Sequence, residues 1–220
     1  MPLHRRVVLG GTDYPIEWGR AKDQIRYSAR MATIGSADQP RATQDQSPLD
    51  PLALRVALSR FPSGVCIVTT LAADGQPVGL TVNSFASVSL DPPLVLWSLR
   101  RRSPSLSAFQ TAPGFAISVL AADQHELSSR FARPVADKFD SVRLASRHGE
   151  APLIEGAAAH FTCSKWQEYP GGDHIIFIGA VHSFAASSAA PLAFVGGRYA
   201  TVRARADAPS VEDLWPIPFW

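Results

Sequence analysis

Short runs of β-forming residues follow one another through the middle of the chain, and the turn signals between them limit the folds it can adopt. "GVCIVTTLA" and "PVGLTVNSFASVSL" flank "ADGQ", which predicts two antiparallel strands joined by an Asp-Gly turn. Further strands are predicted at "LVLWSL", "FAISVL", residues 157–168, residues 174–185 and "PLAFVGGRY". About six or seven strands with only short helices leave little room for repeated βαβ crossovers. We therefore predict a mainly β protein, a closed or nearly closed antiparallel barrel with a few short α-helices.

Three short helices are predicted around these strands. Asp50 followed by Pro51 is an N-cap and first-turn pair, and the helix that it opens should end before Pro62. The apolar stripe of this helix comprises Leu52, Val56 and Leu58. "SPSLSAFQ", opened by Ser103 and Pro104, and "DQHELSSRFAR" are the other two helical segments.

Composition changes at both ends of the chain and divides it into three parts. Residues 1–49 mix polar residues and proline with little periodicity, so we expect a flexible extension, and Met31 is a candidate for the natural start of synthesis. Residues 50–202 form the predicted folded domain. Residues 203–220 end in "VEDLWPIPFW", an aromatic tail that either lies along an apolar surface or has no function.

Overall composition excludes several classes of protein. An apolar content of 46% with 18% charged residues predicts a packed fold, and a net charge of +2 gives no sign of nucleic-acid binding. No apolar run is long enough for a membrane helix, and no signal-peptide pattern is present. Cys66 and Cys163 lie far apart without a CxxC spacing, so we expect a cytoplasmic protein without disulfides.

Residues 78–90 present an unusual pattern of alternation. If they form one strand, its core face consists of Val78, Leu80, Val82, Ala86, Val88 and Leu90. Its other face consists of Gly79, Thr81, Asn83, Phe85, Ser87 and Ser89. This second face carries hydroxyls, an amide and an aromatic ring but no charge, which suits a planar heteroaromatic ligand. A contact between subunits is the alternative.

Two further features are candidates for the same site. Arg100, Arg101 and Arg102 precede the predicted helix start at Ser103, a combination that suits a phosphate, although a solvated turn is the alternative. His174 stands at the entry to a long strand after "YPGGD". It is poised at the mouth of a site, or it is an ordinary histidine at a strand end.

Other common catalytic sites are not indicated. The chain has no GxGxxG, P-loop, HExxH or GxSxG motif. His174 and His182 share a strand face but lie about 26 Å apart at roughly 3.3 Å per residue, so no metal site is expected.

Several collinear motifs resemble the flavin reductase-like family of FMN-binding split barrels, the reductase components of two-component flavin-dependent monooxygenases. The resemblance covers about residues 54–199 and is carried by "FPSGVCIVTT", "GLTVNSFASVSLDPPLVLWSL", "RRSPSL", "FAISVLAADQHELSSRFA", "DKF", "GGDHIIFIGAV" and "GGRY". It implies an antiparallel split β-barrel homodimer, with the flavin near the subunit interface and reduced nicotinamide stacked on the flavin ring.

The resemblance also assigns residues to the site. Those implied to contact the flavin ring and its ribityl chain are Thr81, Val82, Asn83 and Ser84, with Ser87 and Val88 close behind. Those implied at the ribityl and phosphate end are Ser98, Leu99, Arg100, Ser103 and Ser105. His174 matches a nicotinamide-contacting histidine and is the catalytic candidate, while Arg198 and Tyr199 match the closing motif. Some members of the family also use positions like Arg130, Phe131 and Lys138 around the cofactor.

The function implied is that of an NAD(P)H-dependent flavin reductase, which transfers hydride from nicotinamide C4 to flavin N5 and supplies reduced flavin to a partner monooxygenase. Such chemistry belongs to the cofactors and requires no nucleophile or paired carboxylates from the protein. The flavin is FMN or FAD, and the triple arginine points toward the larger FAD. The alternatives are a flavin carrier or redox sensor without turnover, and an interaction module without a ligand.

Overall fold

The computed structural model describes residues 5–9, 12–16, 50–135, 137–145 and 150–203. The chain divides into two compact units, residues 1–47 and 48–220. In the first unit, β1 (Arg5–Leu9) pairs antiparallel with β2 (Thr12–Ile16), a hairpin that the sequence did not predict. Met31 and residues 204–220 lie outside the described residues.

The second unit contains three short helices and ten of the strands that the structure describes. The helices are α1 (Pro51–Leu58), α2 (Leu106–Thr111) and α3 (His125–Phe131). The strands are β3 (Ser63–Gly64), β4 (Cys66–Leu71), β5 (Pro77–Val82), β6 (Ala86–Leu90), β7 (Pro93–Arg100), β8 (Gly114–Val119), β9 (Ala159–Gly171), β10 (His174–Ala186), β11 (Leu192–Val195) and β12 (Arg198–Thr201).

Seven of these strands form one antiparallel sheet in the order β5-β4-β8-β9-β10-β7-β6, and three form a smaller sheet in the order β12-β11-β3. β5 and β6 stand at opposite ends of the larger order, yet only residues 83–85 separate them in the chain. A segment this short spans about 14 Å at most, so the two ends of the sheet must approach each other. This closure confirms the predicted mainly β split barrel.

The prediction of one continuous strand through residues 78–90 is wrong. Val82 is buried as predicted, but the strand breaks after it, and in β6 the side chains of Val88 and Leu90 are 45% and 64% exposed. β6 pairs with β7 through a register shift between Ser87 and Ser89, so the alternation of β5 does not continue into it. Phe85, expected on the polar face, packs against the core instead.

Two apolar clusters support the barrel. In the first, Trp97 stacks on Phe177 with 4.8 Å between ring centroids and meets Phe109 edge-on. The second cluster lies on the α3 side and contains Phe131, which is fully buried. A Cβ atom on Gly79 would lie 2.9 Å from the Phe131 ring, so this part of the predicted polar face is covered by protein.

Helix α1 begins and ends where the sequence predicts. Asp50 caps it by accepting a hydrogen bond from the Leu52 backbone N–H at 2.9 Å. Its apolar stripe is not part of the core, because Leu52 and Leu58 are 69% and 65% exposed.

Cys66 and Cys163 are free and buried, and burial raises the pKa of both thiols to about 12, so neither is a thiolate near neutral pH. No helix among the described residues has the length and apolar character needed to cross a membrane.

Candidate functional site

A cleft of about 550 Å³ opens where the end of β5, the end of β7 and the start of β10 meet. It is lined by Leu80, Thr81, Val82, Asn83, Ser84, Ser98, Leu99, Arg100, Arg102, Ser103, Ala132 and His174. Most of the residues that the sequence predicted for a ligand site are therefore brought together, although they come from segments far apart in the chain. The antiparallel register explains part of this, because His174 at the start of β10 lies opposite Arg100 at the end of β7.

One side of the cleft is the strand wall, which we define as residues 81–84. Its two hydroxyls are already hydrogen-bonded to the protein backbone. Thr81 Oγ1 donates to the Ser128 carbonyl at 2.7 Å. Ser84 Oγ accepts from the Ser98 N–H at 3.0 Å and donates to the Ser98 carbonyl at 3.3 Å, which fixes the crossing between β5 and β6 onto β7. The strand wall is therefore positioned by the fold.

Asn83 differs from its neighbours in the strand wall. Its side-chain amide is exposed and has no hydrogen-bond partner within the described part of the chain. It also lines a cleft of about 230 Å³ near Tyr199 and another of about 510 Å³ near Phe61. Both donors and the acceptor of this amide are available where the three clefts meet. Asn83 is therefore the strand-wall residue best placed to bind a ligand.

The opposite side is the turn wall, which we define as Arg100, Arg102 and Ser103. The Ser103 N–H donates to the Arg100 carbonyl at 2.9 Å and closes a turn over these residues. Within the described residues, neither guanidinium of the turn wall forms an ion pair or a hydrogen bond with the protein. Two guanidiniums that make no ion pair or hydrogen bond, next to a serine, form a site suited to a phosphate.

The helix after the arginine run begins three residues later than predicted. Helix α2 begins at Leu106, later than the Ser103–Pro104 pair, and it has six residues. Its N-cap, Ser105, makes no side-chain capping bond and does not line the cleft; its N–H contacts Ser103 Oγ at 3.3 Å. The arginine side chains and the turn therefore offer more to a phosphate than the helix start does, because a helix this short has little dipole.

His174 stands at the mouth of the cleft in a hydrogen-bonded pair that the sequence did not reveal. Its Nδ1 lies 2.7 Å from Asp173 Oδ1. The hydrogen bond to His174, together with the charge of His174, lowers the pKa of Asp173, so this carboxylate is ionised near neutral pH. An ionised carboxylate accepts from Nδ1–H, which leaves Nε2 as the ring nitrogen that Asp173 does not use. The adjacency of Asp and His in "GGDH" was the available signal.

Other predicted site residues lie outside the cleft. Ser87 and Val88 are exposed on β6, and Arg198 is exposed at the start of β12. Tyr199 lines the smaller adjoining cleft, where its hydroxyl is hydrogen-bonded to Ser128 Oγ at 2.9 Å. The smaller cleft shares Thr81, Val82, Asn83 and Ala132 with the main one, so Tyr199 is next to the site.

The positions that some members of the family use around the cofactor lie on α3 and the following loop, and here their polar groups bond to the protein itself. Lys138 Nζ donates to the Gly79 and Phe131 carbonyls, each at 3.1 Å, and burial lowers its pKa. Arg130 donates to the Asp140 carbonyl at 2.7 Å. Conversely, Leu80 and Ala132 line the cleft although the sequence did not single them out for it, and Arg102 was indicated only as a member of the arginine run.

The chemistry available in the cleft is that of binding. The residues that line it carry hydroxyls, an amide, two guanidiniums and one imidazole, and none of them is a carboxylic acid or a thiol. Within the described residues no group of side chains is arranged to hold a metal ion. The arrangement suits a ligand with a polar planar ring at the strand wall and an anionic group at the turn wall.

Comparison with known proteins agrees with this description. A family model described as "Flavin reductase like domain" matches residues 58–203. The reductase component of a flavin-dependent trigonelline monooxygenase from Acinetobacter baylyi is 44% identical over 148 residues, which cover 67% of this chain and 48% of the relative. The FMN reductase (NADH) SmoA from Agrobacterium fabrum is 45% identical over 67% of this chain and 83% of its own.

A solved structure extends the similarity to three dimensions. The NADH:FAD oxidoreductase SgcE6 from Streptomyces globisporus, in complex with NAD and FAD fragments, is 38% identical with a TM-score of 0.66. The match covers 74% of this chain and 99% of that one. Some relatives are longer: the chain spans about half the length of the trigonelline relative and 52% of a probable flavin reductase from Rhizobium meliloti.

Proposed function

The chain belongs to the flavin reductase-like domain family, and we propose that it is an NAD(P)H-dependent flavin reductase that takes FMN or FAD. The observation that carries this proposal is the meeting of the strand wall, the turn wall and His174 around one cleft. A flavin has a polar planar ring, a hydroxylated chain and a phosphate, and these match the two walls in kind and in order.

The donor set of the cleft fits a flavin. The Asn83 amide and the two guanidiniums of the turn wall form no hydrogen bond or ion pair within the described residues, so they are available for a ligand. Asn83 would hold the ring, and Thr81 would contact it without donating its hydroxyl, which is bonded to the Ser128 carbonyl. Ser98 would hold the ribityl chain, and Arg100, Arg102 and Ser103 the phosphate. When bound, the flavin supplies the ring that accepts hydride from reduced nicotinamide.

The residues of the chain would act by binding and orientation. His174, held through Nδ1 by Asp173, would present Nε2 to the nicotinamide and fix its position against the flavin. Two arginines line the cleft and the Asp173 carboxylate at its mouth is paired with His174, so the arginines favour a ring that gains negative charge. The strand wall is fixed by backbone hydrogen bonds, so little reordering is needed when a ligand binds.

Homodimer formation is part of this proposal. Leu52, Val56, Leu58 and Phe61 are all more than half exposed and lie close together in sequence on and just after α1. Val56, Leu58 and Phe61 line the cleft that reaches Asn83, so apolar surface continues to the edge of the site. Such a patch is typical of a protein interface.

A monooxygenase partner and a cytoplasmic location complete the proposal. Relatives are named as reductase components of flavin-dependent monooxygenases, which supports delivery of reduced flavin to a separate oxygenase. The cytoplasmic location stays a prediction from the sequence.

The test is anaerobic mixing of the flavin-loaded protein with NADH and, separately, with NADPH, using FMN, FAD and riboflavin in turn. We expect the visible absorbance of oxidised flavin to bleach within seconds with at least one pair. Flavin that binds tightly but does not bleach would overturn the reductase proposal and favour a flavin carrier or redox sensor. Absence of any flavin binding would favour an interaction module without a ligand.

A further inference from the structure

The three consecutive arginines after β7 point to different parts of the molecule. Arg100 and Arg102 line the cleft, whereas Arg101 contacts the tip of the β9–β10 hairpin. The Arg101 N–H donates to the Asp173 carbonyl at 2.9 Å, and its side-chain Nε–H donates to the Gly172 carbonyl at 2.9 Å. One residue therefore holds the hairpin tip with a main-chain and a side-chain hydrogen bond.

The hairpin tip determines where His174 lies. Only Gly172 and Asp173 connect β9 to β10, and Gly172 has a φ of +65°, a conformation that glycine adopts readily. Asp173 in turn holds the His174 ring through the 2.7 Å contact. A shift of the tip would therefore move the carboxylate and the imidazole together.

The other side of Arg101 is the turn wall. Arg101 lies between Arg100 and Arg102 in the turn that the Ser103–Arg100 hydrogen bond closes. A phosphate that fixes the two outer arginines restricts the backbone of the residue between them. Because Arg101 also holds the hairpin tip, this restriction reaches His174 without any direct contact between the phosphate and the imidazole.

We propose that Arg101 is a positioning residue that couples occupation of the turn wall by a flavin phosphate to the placement of His174 for nicotinamide. Identification of the two ligands rests on the proposed function, whereas the connection itself rests on the contacts of Arg101. Thermodynamic linkage makes the coupling reciprocal: flavin should raise the affinity for nicotinamide by the factor by which nicotinamide raises the affinity for flavin.

The test uses the full chain and binding measurements that need no turnover. The affinity for oxidised NAD is measured on flavin-free and FMN-loaded protein, and the ratio of the two dissociation constants gives the coupling factor. We expect a factor of about five or more in the wild type, the lower end of typical coupling between sites. Arg101→Gln removes the side-chain bond to Gly172 and keeps the main-chain bond to Asp173, so the factor should fall toward one, while FMN affinity stays within about twofold.

Arg102→Gln is the matched control, because it removes the same charge from the same turn but leaves the contacts to Gly172 and Asp173. It should weaken FMN binding, but at saturating FMN the phosphate still has Arg100, so part of the coupling should remain and the factor should exceed that of Arg101→Gln. A factor that survives in Arg101→Gln, or is already about one in the wild type, would overturn the proposal. So would equal losses of FMN affinity in the two variants.

Hydrogen exchange gives a second test that does not depend on a variant folding. In the wild-type protein, FMN should slow amide exchange in the peptide that contains residues 171–176, whereas riboflavin, which has no phosphate, should slow it much less. Equal protection by both flavins, or none by either, would contradict a connection through the turn wall. If NADH bleaches the flavin but FMN gives no such protection, the coupling proposal fails and the reductase proposal stands. If FMN gives the protection but NADH does not bleach the flavin, the reductase proposal fails and the coupling proposal stands.

Discussion

The two walls of the cleft are built differently. In the strand wall, the hydroxyls of Thr81 and Ser84 are bonded to backbone groups of other elements before any ligand arrives. In the turn wall, the guanidiniums of Arg100 and Arg102 form no hydrogen bond or ion pair among the described residues, although the charge of Arg100 acts on Asp173. Removing a strand-wall hydroxyl should therefore cost stability, whereas removing a turn-wall guanidinium should cost binding with little effect on stability.

His174 belongs to neither wall, and changing it should give the largest effect. We expect His174→Ala to lower kcat/KM for reduced nicotinamide by about 50-fold or more, because loss of orientation at the reacting atoms is costly. Flavin affinity should change by less than about threefold. Steady-state oxidation of NADH and fluorescence titration of FMN measure the two quantities.

His182→Ala is the control, since His182 is exposed on the same strand and does not line the cleft. Equal losses of flavin affinity and nicotinamide use in His174→Ala would show that the division between flavin walls and nicotinamide mouth is incorrect.

Arg102→Gln tests the turn wall by itself. It should weaken FMN binding by about tenfold, the value of a charged hydrogen bond to phosphate, and leave riboflavin binding unchanged. The difference between wild type and variant should shrink at high salt, because an exposed guanidinium is screened. Urea unfolding should be unaffected.

Arg143→Gln provides a charge-matched control, because Arg143 is 84% exposed and pairs with Glu155 outside the cleft. Weaker riboflavin binding in Arg102→Gln would place this side chain at the ring and not at the phosphate.

Thr81→Val tests the strand wall. Valine nearly preserves the shape of threonine but removes one of the two donors to the Ser128 carbonyl, which keeps its hydrogen bond from the Ala132 N–H at 3.0 Å. The free energy of unfolding should therefore fall by about 1 kcal/mol or less. FMN affinity should change by less than about threefold. Urea unfolding and fluorescence titration measure these effects.

Thr111→Val is a comparison at an exposed hydroxyl, which bonds to the Ser107 carbonyl within its own helix, and it should cost less. A tenfold loss of FMN affinity at unchanged stability in Thr81→Val would mean that this hydroxyl serves the ligand more than the fold.

The sequence was most informative where local chemistry determines the structure. Asp50 and Pro51 gave the start of α1, and the Asp-Gly turn gave the hairpin of β4 and β5. It failed at residues 83–85, where the chain crosses from one end of the sheet to the other. No glycine or proline marks this break, and the hydroxyl that fixes it bonds to Ser98, a residue whose proximity follows only from closure of the barrel.

The sequence indicated which kinds of side chain form the site, but not which of them contact one another or line the cleft. The arginine run indicated an anion site, but only the turn geometry separates Arg100 and Arg102, which line the cleft, from Arg101, which holds the hairpin. Ala132 carries no chemical signal and lines the cleft because α3 packs beside β5. The apolar stripe of α1 is evident in the sequence, but its exposure depends on what surrounds the helix.

The smallest expected effect concerns Asp173, which stands between the turn wall and His174. Its pKa is lowered from the ordinary 3.8, first by the hydrogen bond to His174 and then by the positive charges of His174 and Arg100. A carboxyl whose pKa is lower in the folded state stabilises the fold above its ordinary pKa and loses this contribution as the pH falls through the lowered value. The free energy of unfolding of the wild type should therefore be slightly above that of Asp173→Asn near pH 6. The difference should shrink as the pH falls below 3.8 and vanish below the lowered pKa. A difference that grows as the pH falls would show that the carboxylate does not stabilise the hairpin tip through its charge.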